Sequence, residues 1–210
     1  VTVTDLAGTQ QNGTFNGGFD STYKAFTFNG TSQNMTTTLA NSGTPSAYAH
    51  TFAFWTKPIS NLANHTQQAF LQLGTHSANS CSALRLEEST GLFRWFFHTN
   101  DIVYSADHII LGEWNHIVAA YDGGSELTSR RIWVNDKEIH HTTTSGTIGA
   151  LSLSANALLA IGSQDGGSNW NNGLNGSIAN FRLYSKALNA DQVKELYDYQ
   201  KDYFLGSKSQ

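Results

Sequence analysis

The sequence predicts an all-β fold, a two-sheet antiparallel sandwich closed by one short helix near the C-terminal end. Period-two patterns and aromatic or β-branched runs outnumber helical ones along the 210 residues. Turn residues separate most of these runs, so the strands are many and short. Convincing helical spacing occurs once, after residue 189.

The expected strands are residues 24–28, 51–56, 70–73, 83–87, 92–99, 116–121, 130–135, 158–161 and 178–184. In 92–99, Phe93, Trp95 and Phe97 share one face, which makes it the core face. In 130–135, Ile132 and Val134 claim the inward face and turn Arg131 and Trp133 outward, with a semi-buried packing role for Trp133 left open. Asn135-Asp136 reads as a tight hairpin turn, and Asp122-Gly123-Gly124 as another loop. The helix is expected over 190–197: Asn189 caps it, and Val193, Leu196 and Tyr197 line the face that docks.

Composition narrows the function classes. With 39% hydrophobic residues the chain can bury one full core, so residues 1–205 form one domain and 206–210 a polar tail or linker. Only 13% of residues are charged, against about 25% in typical soluble domains. A net charge of −4 without a Lys/Arg run argues against nucleic acid as a partner. No basic amphipathic helix and no apolar run of membrane-spanning length speak for a membrane. Cys81 is the single cysteine, so an internal disulfide is excluded and packing must stabilise the chain. Without an initiator Met or a leader, the chain is expected to be one module of a larger protein.

The connection 162–176 is the most suggestive segment for function. Gln164, Asp165, Asn169, Asn171 and Asn172 surround Trp170 between two strands. Sugars offer apolar C–H faces that stack on flat rings, and hydroxyls that need polar partners. The segment therefore has the composition of a glycan-binding rim, and equally that of a long solvated hairpin connection. Trp170 is the best candidate for an exposed ring. Trp55, Trp95 and Trp114 read as core, and Trp133 with Arg131 as a second candidate contact.

Blocks of sequence then carry a resemblance. Ala25-Phe-Thr-Phe-Asn-Gly-Thr31, Thr51-Phe-Ala-Phe-Trp-Thr-Lys-Pro58 and Gly112-Glu-Trp-Asn-His-Ile-Val-Ala-Ala-Tyr-Asp122 come first. Arg131-Ile-Trp-Val-Asn-Asp-Lys-Glu138 and Gly176-Ser-Ile-Ala-Asn-Phe-Arg-Leu-Tyr-Ser-Lys-Ala-Leu188 follow. Their order resembles that of laminin G-like domains. The resemblance implies a concanavalin A-like jelly roll, a fold shared by lectins, pentraxins, glucanases and some polysaccharide lyases, which does not by itself select an activity. Similarity to pentraxins implies a calcium site of Asp165 and Gln164 with Asn79 from the loop 76–81. With Asp165 as the single nearby carboxylate it implies one weak calcium, not a tight double site.

Arg85 and Glu87 alternate with Leu84 and Leu86, and Arg94, Phe96 and His98 lie opposite Trp95. A hairpin across Ser89-Thr-Gly91 would gather the charges on one face, as a polar groove or as a solvated face with one ion pair. The paired carboxylates of a glycosidase are missing, since Glu87-Glu88 points to opposite faces. A polysaccharide lyase using Arg85, Arg94, His98 and Tyr104 stays open as an alternative. Asn-x-Ser/Thr sequons occur at Asn12, Asn29, Asn34, Asn64 and Asn175. The segment 195–208 is similar to stretches that follow laminin G-like modules in surface proteins of large DNA viruses infecting algae. The expected function is a lectin-like, non-catalytic module of an extracellular, cell-surface or virion protein. Its expected partner is a glycan, with contact to neighbouring subunits of a surface assembly as the alternative.

Overall fold

A computed structural model describes residues 2–3, 12–40, 49–60, 66–98, 100–105, 109–146, 149–164 and 172–206. The strands in chain order are β1 (Thr2–Val3), β2 (Gly13–Phe15), β3 (Gly18–Asp20), β4 (Ala25–Asn29), β5 (Met35–Ala40), β6 (His50–Pro58), β7 (Gln67–Gly74) and β8 (Cys81–Glu87). They continue with β9 (Leu92–Phe97), β10 (Asn100–Ser105), β11 (Asn115–Tyr121), β12 (Arg130–Val134), β13 (Lys137–Ile139), β14 (His141–Gly146), β15 (Asn156–Ile161) and β16 (Asn175–Tyr184), and α1 (Ala190–Leu205) follows. A nine-stranded sheet runs β1-β2-β5-β15-β7-β8-β9-β10-β14, and a seven-stranded sheet runs β13-β12-β11-β6-β16-β4-β3. The pairings are antiparallel in both, as in a jelly-roll sandwich.

The central strands of the seven-stranded sheet explain the layering. On β6, Phe52 and Phe54 enter the core between the sheets, while Ala53 and Trp55 face the other way and are also buried. The same alternation puts Ile117, Ala119 and Tyr121 of β11 and Ile132 and Val134 of β12 inside, with Val118, Ala120 and Trp133 outside. A strand apolar on both faces needs a third layer, and α1 supplies it. Val193 packs on Ala53, Val118 and Trp133, and Phe204 stacks on Trp55 at 4.5 Å between ring centroids. Full burial of each such side chain stabilises by about 1.5–3 kcal/mol.

The helix runs to Leu205, two turns beyond the end at residue 197 that sequence spacing suggests. Its continuation is held by its own buried positions, since Gln200 accepts the indole N–H of Trp55 at 2.6 Å and Phe204 lies under Tyr23 and Trp114. Its start matches expectation: Asn189 Oδ1 accepts from the Gln192 amide at 2.9 Å, and the Gln192 side chain accepts from the Asn189 amide at 3.1 Å. Asn135 and Asp136 turn at φ 50° and 66°, the left-handed pair that a two-residue hairpin between β12 and β13 requires. Trp55, Trp95 and Trp114 are buried as expected, but Trp55 and Trp114 lie beneath the helix, outside the core between the sheets.

Polar bridges cross that core. Trp95 Nε1 donates to Ser82 Oγ at 2.9 Å, and His50 Nε2 from the opposite sheet lies 3.1 Å from the same hydroxyl. A serine inside an aromatic core is tolerable because both neighbours bond it.

Candidate functional site

The candidate site begins where β15 ends. Gly162, at φ 78°, turns the chain out of the sheet, and a Cβ there would sit 2.3 Å from the ring of Phe28. Its N–H donates to the Phe70 carbonyl and its carbonyl accepts from the Leu174 amide, so the two ends of the connection are pinned together. Ser163 and Gln164 are then buried, Gln164 to 3% exposure.

Gln164 joins two segments. Its Nε2 lies 2.8 Å from His76 Nδ1, where the amide donates to the ring, and its Oε1 accepts from Asn172 Nδ2 at 3.2 Å. The His76 ring stands edge-on to His98 at 4.5 Å and to Phe96 at 6.1 Å. On the β7–β8 turn, Thr75 donates to the Ser80 carbonyl, and Asn79, at φ 55°, donates its amide to Phe97 and accepts from Ser152. The rim is thus built from residues 75–80, 162–164 and 172–174, braced by Ser152.

Beside this rim, on the side of the nine-stranded sheet turned away from the core, Cys81, Ala83 and Phe96 form a small buried cluster. Gln72, Ala83 and Phe96 are successive cross-strand partners, and the Arg85 guanidinium lies 4.7 Å over the Phe96 ring. Arg85 and Arg94 oppose one another directly. Glu87 lies 3.0 Å from Arg94 and 3.6 Å from Arg85, and also accepts from Gln67 at 3.2 Å. The expected sharing of one face by these charges is therefore observed. Glu88 turns away and bonds Ser60 and Gln68.

Four of the expected ligand residues, Asp165, Asn169, Trp170 and Asn171, lie outside the described residues. Asn172 and Gln164 are brought together, and His76 joins them although sequence reasoning did not single it out. Its position in the turn opposite the Asn-rich connection was the available signal. Trp133 needs correction as a ligand contact. It does face away from the core between the sheets, but α1 covers that face and leaves the ring 2% exposed. Arg131 remains exposed, lies 4.7 Å over the Trp133 ring, and pairs with Glu138 through both oxygens at 2.8 and 2.6 Å. That hydrogen-bonded pairing raises the Arg131 pKa and lowers that of Glu138. Tyr104, considered as a lyase base, is buried between the sheets, donates to the Arg130 carbonyl at 2.9 Å, and has its pKa raised by burial.

Calcium takes six to eight oxygen ligands, with carboxylates foremost. The described rim offers the amide groups of Gln164 and Asn79 and an imidazole on Gln164, which does not fit that ion. Among the described residues no three His, Cys, Asp or Glu side chains converge. No helix described is long and apolar enough to cross a membrane.

Comparison with known proteins agrees with this architecture. Residues 9–194 match the family model of the concanavalin A-like lectin/glucanases superfamily, a laminin G-type model. No curated protein matches the chain. Among solved structures, domain 4 of AbnA, an extracellular arabinanase of Geobacillus stearothermophilus in complex with arabinotriose, is similar at TM-score 0.61 and 20% identity, with 92% of each chain covered. The heptameric SAP-like pentraxin of Limulus polyphemus gives TM-score 0.54 and 16% identity over 88% of this chain and 80% of the pentraxin. The binding domain of botulinum neurotoxin serotype D gives TM-score 0.65 and 15% identity over 94% of this chain, which spans about half (49%) of that domain. At these identities the solved structures speak for the fold. The family match, extending over most of the sequence and over both sheets, places the chain in the concanavalin A-like lectin/glucanase superfamily.

Proposed function

We propose that this domain is a non-catalytic carbohydrate-binding module of an extracellular or particle-surface protein, holding glycans at the rim that carries the connection 165–171. The observation that supports it most is the buried Gln164 amide. By bonding His76 on one side and Asn172 on the other, it fixes the residues that flank that connection. In this reading Trp170 stacks on a sugar face, and Asn169, Asn171 and Asn172 bond hydroxyls. Asp165, with Gln164 and Asn79, would have to complete any calcium site, since the described donors fall short of one. The fold shared with a domain solved with arabinotriose supports the same reading. Among the groups a lyase would use, Tyr104 is sealed in the interior, which supports the non-catalytic reading.

A second reading, an assembly module, draws on the outer side of α1, where Tyr199, Tyr203 and Leu205 are exposed. A glycan array with the wild-type domain and Trp170→Ala, repeated in EDTA, separates the two. Glycan retention that the substitution abolishes supports the rim. Retention undiminished by it removes the rim from the account. No retention together with a stable oligomer favours assembly.

A further inference from the structure

The fold treats the Asn-x-Ser/Thr sequons at Asn12, Asn29, Asn34 and Asn175 very differently. Asn34 is 7% exposed, and its backbone is tied to Asn16, whose Oδ1 accepts from the Asn34 amide at 2.6 Å. Asn175 is half-buried at the start of β16, and its Nδ2 donates to the Ser60 carbonyl at 3.0 Å. Asn12 is exposed, but Gly13 and Thr14 of its sequon are held in β2 between β1 and β5. Asn29 ends β4, Thr31 lies in the turn that follows, and both are exposed.

The Asn29 turn also suits the modification chemically. Asn29 Oδ1 accepts from the Thr31 and Ser32 amides at 3.1 and 3.0 Å, and Nδ2 donates to Ser32 Oγ at 3.1 Å. A side-chain amide nitrogen carries two hydrogens, and this contact uses one. A sugar that replaces the other leaves all three bonds of the turn in place. Gly30, at φ 77°, makes the bend and donates its N–H to the Leu174 carbonyl at 2.8 Å. A Cβ on Gly173 would lie 2.7 Å from the Gly30 carbonyl oxygen. The turn is therefore packed backbone to backbone on the residues that end the rim connection.

We propose that Asn29 is an N-glycosylation site, whose attached oligosaccharide starts beside Gly173 and Leu174 at the flank of the rim. This rests on the extracellular location in the proposed function, not on glycan recognition by the rim. The donor is a lipid-linked oligosaccharide. In the transfer, Nδ2 attacks the anomeric carbon, the N–C bond forms, and the bond from that carbon to the phosphate oxygen breaks. The lipid phosphate leaves with the bonding electrons, and the amide proton passes to a base of the transferase. An attached glycan is bulky and must stay in solvent, which the Asn29 turn allows and the buried Asn34 does not.

Mass spectrometry of the chain from its native source tests this, with peptides fragmented so that sugars remain on their residues. The expected result is a hexosamine-linked glycan on Asn29 and none on Asn34. Thr31→Ala, made in the same host, keeps Asn29 and its turn bonds but destroys the sequon, and should abolish the glycan at Asn29. Thr31→Ser keeps the sequon and should retain it, and both variants should melt near the wild-type temperature. An unmodified Asn29 overturns the proposal, as does a glycan at Asn29 that survives Thr31→Ala. A glycan on Asn34 overturns the burial argument behind it. None of these results changes what a glycan array reads from the rim, so failure here is distinct from failure of the carbohydrate-binding reading.

Discussion

The indole N–H of Trp55 donates to Gln200 Oε1 at 2.6 Å, joining the central strand of the seven-stranded sheet to the last turns of the helix. Both residues are buried, so the bond has no substitute in water. Gln200→Leu fills similar space and leaves the indole N–H unpaired. A loss of about 1–3 kcal/mol is expected, measured as a lower midpoint at unchanged slope in urea unfolding.

His116 lies beside Trp55 and Tyr197 in the same layer, at 5.0 and 6.0 Å between ring centroids. Burial above all, and the Arg182 charge second, push its pKa down from 6.5 to about 3. The folded state therefore resists a proton that the unfolded chain accepts. The His116 contribution is complete above about pH 6.5 and is lost progressively as pH falls toward about 3. Chemical denaturation across pH 7 to 4 should show stability falling with pH, with a smaller slope in His116→Phe than in wild type.

Gly162 turns the chain from β15 into the rim connection at a positive φ, with the Phe28 ring in the place of a side chain. Gly162→Ala must both strain the backbone and displace a core aromatic ring. A destabilisation of about 2 kcal/mol or more is expected in thermal or urea unfolding. Gly91, also at positive φ but with open space around it, should cost less on the same substitution.

Arg131 and Glu138 are well paired but exposed. A double-mutant cycle should return a coupling of about 1 kcal/mol or less, shrinking with added salt. Asn189→Ala, by contrast, removes a complete capping box and should cost about 1 kcal/mol.

Much of the fold could be read from the sequence because its strands announce themselves by alternation. Residues 92–97 and 130–134 lie in strands at the expected places, with Trp95 and Ile132 on the inward faces assigned to them. What period two could not tell was whether an outward aromatic meets solvent or a third layer. Trp133 and Trp55 are both outward on their strands, and both are buried because a helix more than fifty residues later covers them. The strands β5 and β14 escaped notice because polar runs of threonine look like loops until a neighbour pairs with them. At the candidate site, the sharing of a face by Arg85, Glu87 and Arg94 was legible, since a short hairpin turn fixes their register. The bond from Gln164 to His76 was not, because it joins turns 88 residues apart.

The central claim is that glycans are held at the rim around Gln164, and chemical-shift mapping tests it most directly. An oligosaccharide selected by the glycan array is titrated into isotopically labelled domain, and amide resonances are followed. The account predicts shifts concentrated at residues 75–80 and 162–174. Shifts confined to α1, or to the β12–β13 hairpin around Arg131, would contradict it.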